Sequence, residues 1–405
     1  MTPPSAWGVL AERLAATQRR VRSLESEPDR RNSFLPYTVE RDSAYAEFEG
    51  SRLLMMSGYS YLGLAGDERV VAAAKSAVDT YGTGNHGVRA LAGTIPLHEE
   101  LEAEIARFAG REAAIAFGSG YAANVGTVGG LVGAGDTVFI DKYDHASIVD
   151  GCRLSGAEVT RFRHNDVEHL GRRLAASRTR GLRLVIVDSV YSMDGDIAPL
   201  PQLRRVCDEH DALLMVDEAH ALGVIGASGG GIEDHFGGEV RVDVKLGTLS
   251  KAIPSMGGWV AGDQALIGHL RYAARPFLFS AALAPAQAAA ALESLRILRA
   301  EPERVAHTQH ESARLRDLLS AAGLRTAASE TAVIPLIAGG DETAYDFATA
   351  CRHEGVIALP VVTPAVPNDL ARLRIAVTAR HSKADIDFAA EAFLKAARTS
   401  AVLPS

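Results

Sequence analysis

The chain reads as an α/β protein: a large domain on a mostly parallel sheet, followed by a smaller α+β domain. Three observations predict this. The runs AAIAF (113–117), TVFID (137–141), RLVIVD (183–188), ALLMVD (212–217) and VDVKLGT (242–248) are apolar at successive positions, as strands covered on both faces must be. Helical stretches separate them, the alternation that gives a layered, largely parallel sheet. At 405 residues the chain also exceeds what one hydrophobic core usually serves.

Residues 1–59 are read as an N-terminal helix and arm. Trp7, Leu10, Leu14, Val21 and Leu24 recur at helical spacing over 7–25, predicting an amphipathic helix that docks on the body or on a second subunit. The large domain takes 60–284. Its strands end in Asp141, Asp188, Asp217 and Thr248, and in such sheets the C-terminal strand ends face the ligand crevice. From 285 the alanine-rich AQAAAALESLRILRA leads as a helix into a small domain, 285–405, with strands AVIPLIA (332–338) and RLRIAV (372–377).

Composition narrows the class of partner. Lys plus Arg number 42 against 50 Asp plus Glu, and no basic stripe is interleaved with aromatics, so nucleic acid is not the expected partner. Cys152, Cys207 and Cys351 are odd in number and far apart, which fits reduced thiols in a cytoplasm and neither a disulfide framework nor a cysteine zinc site. No apolar run reaches the roughly 18 residues of a membrane helix, and residues 1–25 lack a signal-peptide core. The expectation is a cytoplasmic protein with no membrane partner.

GSGYAA (118–123) follows a strand and opens a helix, and Asp141 ends the next strand about 20 residues on. That spacing fits a nicotinamide-dependent dehydrogenase, but no second mononucleotide half is evident, and Asp217 and Lys251 would have no role. The same turn binds a lone phosphate through free N–H groups and the positive helix end. One helix end contributes only ~0.3–1 kcal/mol, so Thr248 and Ser250 are natural further donors.

In LLMVDEAHALG (213–223), Asp217 ends a buried strand, where a carboxylate needs a charged partner. A protonated pyridine nitrogen is such a partner, and it turns the ring into an electron sink. Lys251, in GTLSKAIPSMGG (247–258), sits among small residues, where desolvation favours the free amine of a nucleophile. Phosphate cradle, acid and lysine together suit pyridoxal phosphate. A metal site assembled from Asp217, His220, Asp188 and His145 has no supporting HExxH or paired-histidine spacing, so no metal is expected.

Four segments, DKYDHASIVDGCRLSGAEVTRFRHND (141–166), DSVYSMDGDIAPL (188–200), VDEAHALGVIG (216–226) and TLSKAIPSMGG (248–258), resemble the signature segments of the α-oxoamine synthases in order. The similarity runs from about Tyr59 to His381. It implies the aspartate-aminotransferase-like fold (pyridoxal-phosphate fold type I) and the decarboxylative condensation of an amino acid with an acyl thioester, on coenzyme A or an acyl carrier protein, to an α-amino ketone. An aminotransferase on the same fold is the alternative.

By the resemblance, Lys251 forms the Schiff base with the cofactor, Asp217 pairs with the pyridine nitrogen, His220 bonds the ring oxygen and His145 stacks on the ring. Ser189 would line the ring edge, Gly120, Tyr121 and Thr248 the phosphate, and Arg374 would clamp the substrate carboxylate with its two-pronged donor geometry. The family's homodimers imply that Ser280 reaches the neighbour's phosphate.

Several positions depart from the family pattern. GYSYLGL (58–64) has Tyr59 and Ser60 where an asparagine is usual, closer to serine palmitoyltransferase, and gives Tyr59 a substrate-facing role. Asn85-His86 replaces small residues and is expected in the substrate channel or a plain turn. FLFSAAL (277–283) has lost one hydroxyl of the usual FSTS. Pro254, where relatives mostly have glycine or alanine, should stiffen the lysine loop.

Overall fold

The computed structural model describes residues 5–24, 36–41 and 44–404. Three short strands lead: β1 (Thr38–Val39), β2 (Tyr45–Phe48) and β3 (Ser51–Met55). The large layer follows with β4 (Ala113–Phe117), β5 (Thr137–Asp141), β6 (Glu158–Phe162), β7 (Arg183–Asp188), β8 (Leu213–Asp217), β9 (Val244–Ser250) and β10 (Pro254–Gly262). The C-terminal part adds β11 (Val333–Gly339), β12 (Val356–Ile357), β13 (Leu359–Val361) and β14 (Ala371–Ala376).

The central sheet has seven strands in the order β4-β10-β9-β8-β7-β5-β6. The run from β9 to β6 is parallel, while β10 lies antiparallel to both β9 and β4. Every residue of β5 and β8 apart from Leu213 is buried. One sheet face packs Phe139, Val185 and Leu214 and the other Ile140, Ile186 and Met215, so helices cover both sides, as the continuous apolar runs require. The parallel register places Asp141, Asp188 and Asp217 at neighbouring strand ends.

Sequence reading omitted β6 and β10. In β6 the pattern EVTRF is mostly solvent-facing, as on an edge strand. β10 opens with the glycine-rich PSMGG, which carries the turn signals of a loop. Glycine is required there. A Cβ on Gly258 would lie 2.6 Å from the Cα of Gly120, so β10 and the backbone of the Gly120 turn touch only because both lack side chains. Pro254 begins β10 opposite Ser250, ahead of an irregular register.

The arm is tied to the C-terminal part. β3 pairs in parallel with β12, completing the sheet β1-β2-β3-β12, and Leu54 and Met56 share a core with Leu336, Phe347, Leu373 and Phe393. The sheet β11-β14-β13 packs in the same layer. The alanine-rich segment forms the helix Pro285–Ala300, its buried face against the helices Glu68–Tyr81 and Pro96–Ala109. The N-terminal helix spans Ala6–Leu24, with Trp7, Leu10 and Leu14 exposed on the single chain. Glu25 and the side chains of Val21 and Leu24, part of the same expectation, lie outside the described residues. No helix among the described residues is long and apolar enough to cross a membrane.

Candidate active site

The C-terminal ends of the central strands open into a cavity of about 300 Å³ lined by Tyr59, Gly120, Tyr121, His145, Asp217, His220, Thr248 and Lys251. Asp217 ends β8, Thr248 stands two residues before the end of β9, Gly120 and Tyr121 open one helix, His145 caps another, and Tyr59, His220 and Lys251 lie in connecting turns. Ser119 caps the helix Gly120–Leu131 by accepting from the Ala122 N–H at 3.0 Å, which turns the remaining free N–H groups and the positive helix end toward the cavity. That first turn carries no acidic residue. A Cβ on Gly120 would lie 3.0 Å from the Thr248 side chain, so a larger residue would press on Thr248. The Thr248 hydroxyl donates to the Gly257 carbonyl and contacts Ser250 Oγ at 2.8 Å. Tyr121, half-exposed, donates its hydroxyl to Asp150.

His145 is the N-cap of the helix Ala146–Ser155, where its Nδ1 accepts from the Ser147 N–H at 3.2 Å. Its own N–H donates to Asp188 at 3.0 Å. Loss of solvent around the ring lowers its pKa against the pull of Asp217.

Asp217 is 4% exposed, and its acceptors are filled by neutral donors: the Asn124 amide at 2.7 Å and the Ala219 N–H at 2.9 Å. Lys251 Nζ lies 2.9 Å from His220 Nε2. Burial draws the amine down to about 8, despite the opposing charges of Asp217 and Asp188. His220 is held well below its ordinary value by burial, then by the nearby cations of Lys251 and Arg374, and is therefore a neutral imidazole.

Arg374 lies buried on β14. Its Nε donates to the Ser192 carbonyl at 2.6 Å and its Nη2 to the Tyr61 hydroxyl at 3.0 Å. Tyr61 in turn contacts His220 Nδ1 at 2.8 Å. Since a guanidinium only donates, the Tyr61 hydroxyl is left to donate its own hydrogen to His220 Nδ1. The Tyr59 ring lies over both cations, 5.0 Å from the Arg374 guanidinium and 5.6 Å from Lys251 Nζ.

The cavity thus gathers eight predicted positions, with Arg374 bonded to its rim. Ser189 is fully buried and outside the lining, and Ser280 is exposed away from the cavity. Asn85 ties its loop to the segment before the helix Pro285–Ala300 by donating to the carbonyls of Ala282 and Leu283 at 2.9 and 2.7 Å, while His86 points outward. The turn is the reading its contacts favour. Sequence reasoning missed Asn124, Tyr61, Ser192 and Met193. Asn124 had a signal: it stands one helical turn after Gly120, which puts both on one helix face.

The residues fit pyridoxal phosphate. A buried carboxylate with only neutral partners is completed by a pyridinium, a helix end with hydroxyl neighbours by a phosphate, and a desolvated amine by an aldehyde. Among the described residues no group of three or more His, Cys, Asp or Glu could hold a metal ion.

Fold and site define a pyridoxal-phosphate protein, and the chain belongs to the family described as aminotransferase class I and II, whose profile matches residues 52–393. Its relatives narrow this to the α-oxoamine synthases. The chain is 46% identical over 355 residues to 8-amino-7-oxononanoate synthase of Anaeromyxobacter dehalogenans, covering 88% of this chain and 87% of that one. It is 38% identical over 362 residues to serine palmitoyltransferase of Sphingobacterium spiritivorum, covering 89% and 90%. The solved serine palmitoyltransferase from S. paucimobilis with bound PLP–myriocin aldimine superposes with a TM-score of 0.91 at 32% identity, over 99% of this chain and 100% of that one.

Proposed function

We propose that the chain condenses an amino acid with an acyl thioester, carried on coenzyme A or an acyl carrier protein, releasing carbon dioxide and the free thiol and yielding an α-amino ketone. The observation that carries this reading is the desolvated Lys251 amine and the Asp217 carboxylate lining one strand-end cavity. When bound, pyridoxal phosphate supplies an aldehyde for the amino group and a ring that drains electrons from the α-carbon. This chain's residues do the rest.

Asp217 would pair with the ring nitrogen and hold a proton there. Lys251 would anchor the aldehyde and, with its amine free, is placed to remove the α-proton. His145 would cover the ring face, and His220, held neutral, would donate to the ring oxygen. Arg374 keeps its Nη1 for the substrate carboxylate, its Nε being spent on Ser192. Tyr59 shields that charged pair from water at the mouth. The α-carbon then attacks the thioester carbonyl, the thiol leaves, and the β-keto acid loses carbon dioxide.

The test is stoichiometry. Purified holoenzyme given single amino acids with acyl thioesters should release one carbon dioxide and one thiol per amino ketone. An aminotransferase would give a 2-oxo acid and no carbon dioxide, which would overturn the reading.

The working unit is a homodimer, with Ser280 of each chain reaching the other's phosphate site. Exposed Trp7, Leu91, Tyr272 and Phe279 on the single chain support this, since such apolar surface calls for cover. Sedimentation equilibrium should return the mass of two chains; the mass of one would contradict it.

A further inference from the structure

The geometry points to His164 as a positioning residue for the substrate carboxylate: it staples the turn 191–196, whose Ser192 carbonyl aims Arg374, to the end of β5. This rests on the carboxylate role proposed for Arg374. His164 belongs to the RFRHND segment, which contributes nothing to the cavity lining, yet two carboxylates bracket its ring. Nδ1 lies 3.1 Å from Asp141 Oδ1 and Nε2 lies 2.8 Å from Asp196 Oδ2, with the side chain only 20% exposed.

Asn165 doubles the link. Its N–H donates to Asp141 at 2.8 Å and its amide to Asp196 at 2.7 Å, from a left-handed backbone at φ 49° that asparagine tolerates. The rings of Tyr143 and Tyr191 close on the imidazole, with centroids 4.6 and 4.4 Å away.

Asp196 closes the turn: its carbonyl accepts from the Tyr191 N–H at 3.1 Å, and Tyr191 accepts from the Gly195 N–H at 2.8 Å. Between these bonds the turn presents Ser192 and Met193 to the cavity. From the C-terminal layer, Arg372 grips the other side, donating to Asp194 at 2.6 Å and to the Met193 carbonyl at 3.0 Å. The Ser192 carbonyl, which receives Arg374 Nε, is therefore fixed by two charged clamps.

Burial pulls the His164 imidazole down, but its bonds to Asp141 and Asp196 outweigh that and push it up to about 9. The ring is therefore charged at neutral pH, and the full staple is lost as pH rises through about 9. A neutral imidazole has one N–H, so one of the two carboxylates then meets a lone pair. The groups facing it are Asp141 from β5, Tyr143 from the next turn, and Tyr191 and Asp196 from the stapled turn. Tyr191 also feels Asp144 and Asp188, and on the histidine's own segment Arg163 is paired with Asp166.

The test uses holoenzyme and inhibition by propionate, a carboxylate without an amine to titrate. Wild-type affinity should fall about tenfold between about pH 8 and pH 10, the size of one charge-assisted contact. His164→Gln and the isosteric Asp196→Asn should show that loss already near pH 7.5, with a flat profile above it, while kcat and bound cofactor stay within about twofold. Arg374→Ala is the control. If it weakens propionate but the other two variants keep the wild-type affinity and its alkaline fall, or lose kcat alone, the staple is wrong. If Arg374→Ala changes nothing, the carboxylate reading fails and the staple with it. A flat wild-type profile overturns the staple even should neither variant fold.

Discussion

Replacing Lys251 by alanine is expected to lower turnover by at least about four orders of magnitude, because on the proposed reading the residue serves both as anchor and as base, and among the described residues no second lysine lines the cavity. The nearest competitor by sequence, Lys245, lies on the same strand β9 but is directed elsewhere: its Nζ sits 3.6 Å from both Glu218 and Glu233 and donates to the Gly230 carbonyl. An amine held by two carboxylates and a carbonyl is turned away from the strand-end cavity, whose lining does not include it. Lys251, by contrast, faces a neutral imidazole and is drawn down to about 8 by burial. Steady-state assay with absorbance spectra checks the expectation: activity and the borohydride-fixable yellow colour should vanish together. Turnover within tenfold of wild type would remove Lys251 from the chemistry.

The second large effect is at Asp217. Asp217→Asn keeps the shape and an acceptor for the Ala219 N–H but removes the charge that, on the proposed reading, would hold the ring nitrogen protonated. Breaking a buried pair costs ~3–5 kcal/mol, so kcat should fall by about two to four orders of magnitude. The loss should appear in kcat more than in the amino-acid KM, since the ring's electron demand matters most once the α-proton leaves. Asn124 sharpens the expectation. Its amide donates to Asp217 at 2.7 Å and to Ser147 Oγ at 2.9 Å, so it orients the carboxylate without neutralising it. An Asp217→Asn enzyme with unchanged kcat would contradict the assigned role.

These residues were legible in the sequence for a physical reason. A strand buried on both faces writes itself as an unbroken apolar run, and where the run stops the next polar residue stands at the crevice; Asp217 and Thr248 follow from that rule alone. His220 and Arg374 needed the family resemblance, because nothing in DEAHALG or RLRIAV says which way a side chain turns. Tyr61 and Ser192 were invisible, since their roles exist only where the C-terminal layer meets the large sheet, contacts separated by more than a hundred residues. The arm is another such case: β3 is five residues long and its partner β12 two, too short for any periodicity to register, yet they join the two ends of the chain.

The most direct measurement is to reduce the holoenzyme with borohydride, digest it and locate the added cofactor mass by peptide mass spectrometry. That mass is expected on the Lys251 side chain, in the segment GTLSKAIPSMGG. Finding it on Lys245 or any other lysine, or finding no stable addition to a coloured and active enzyme, would contradict it.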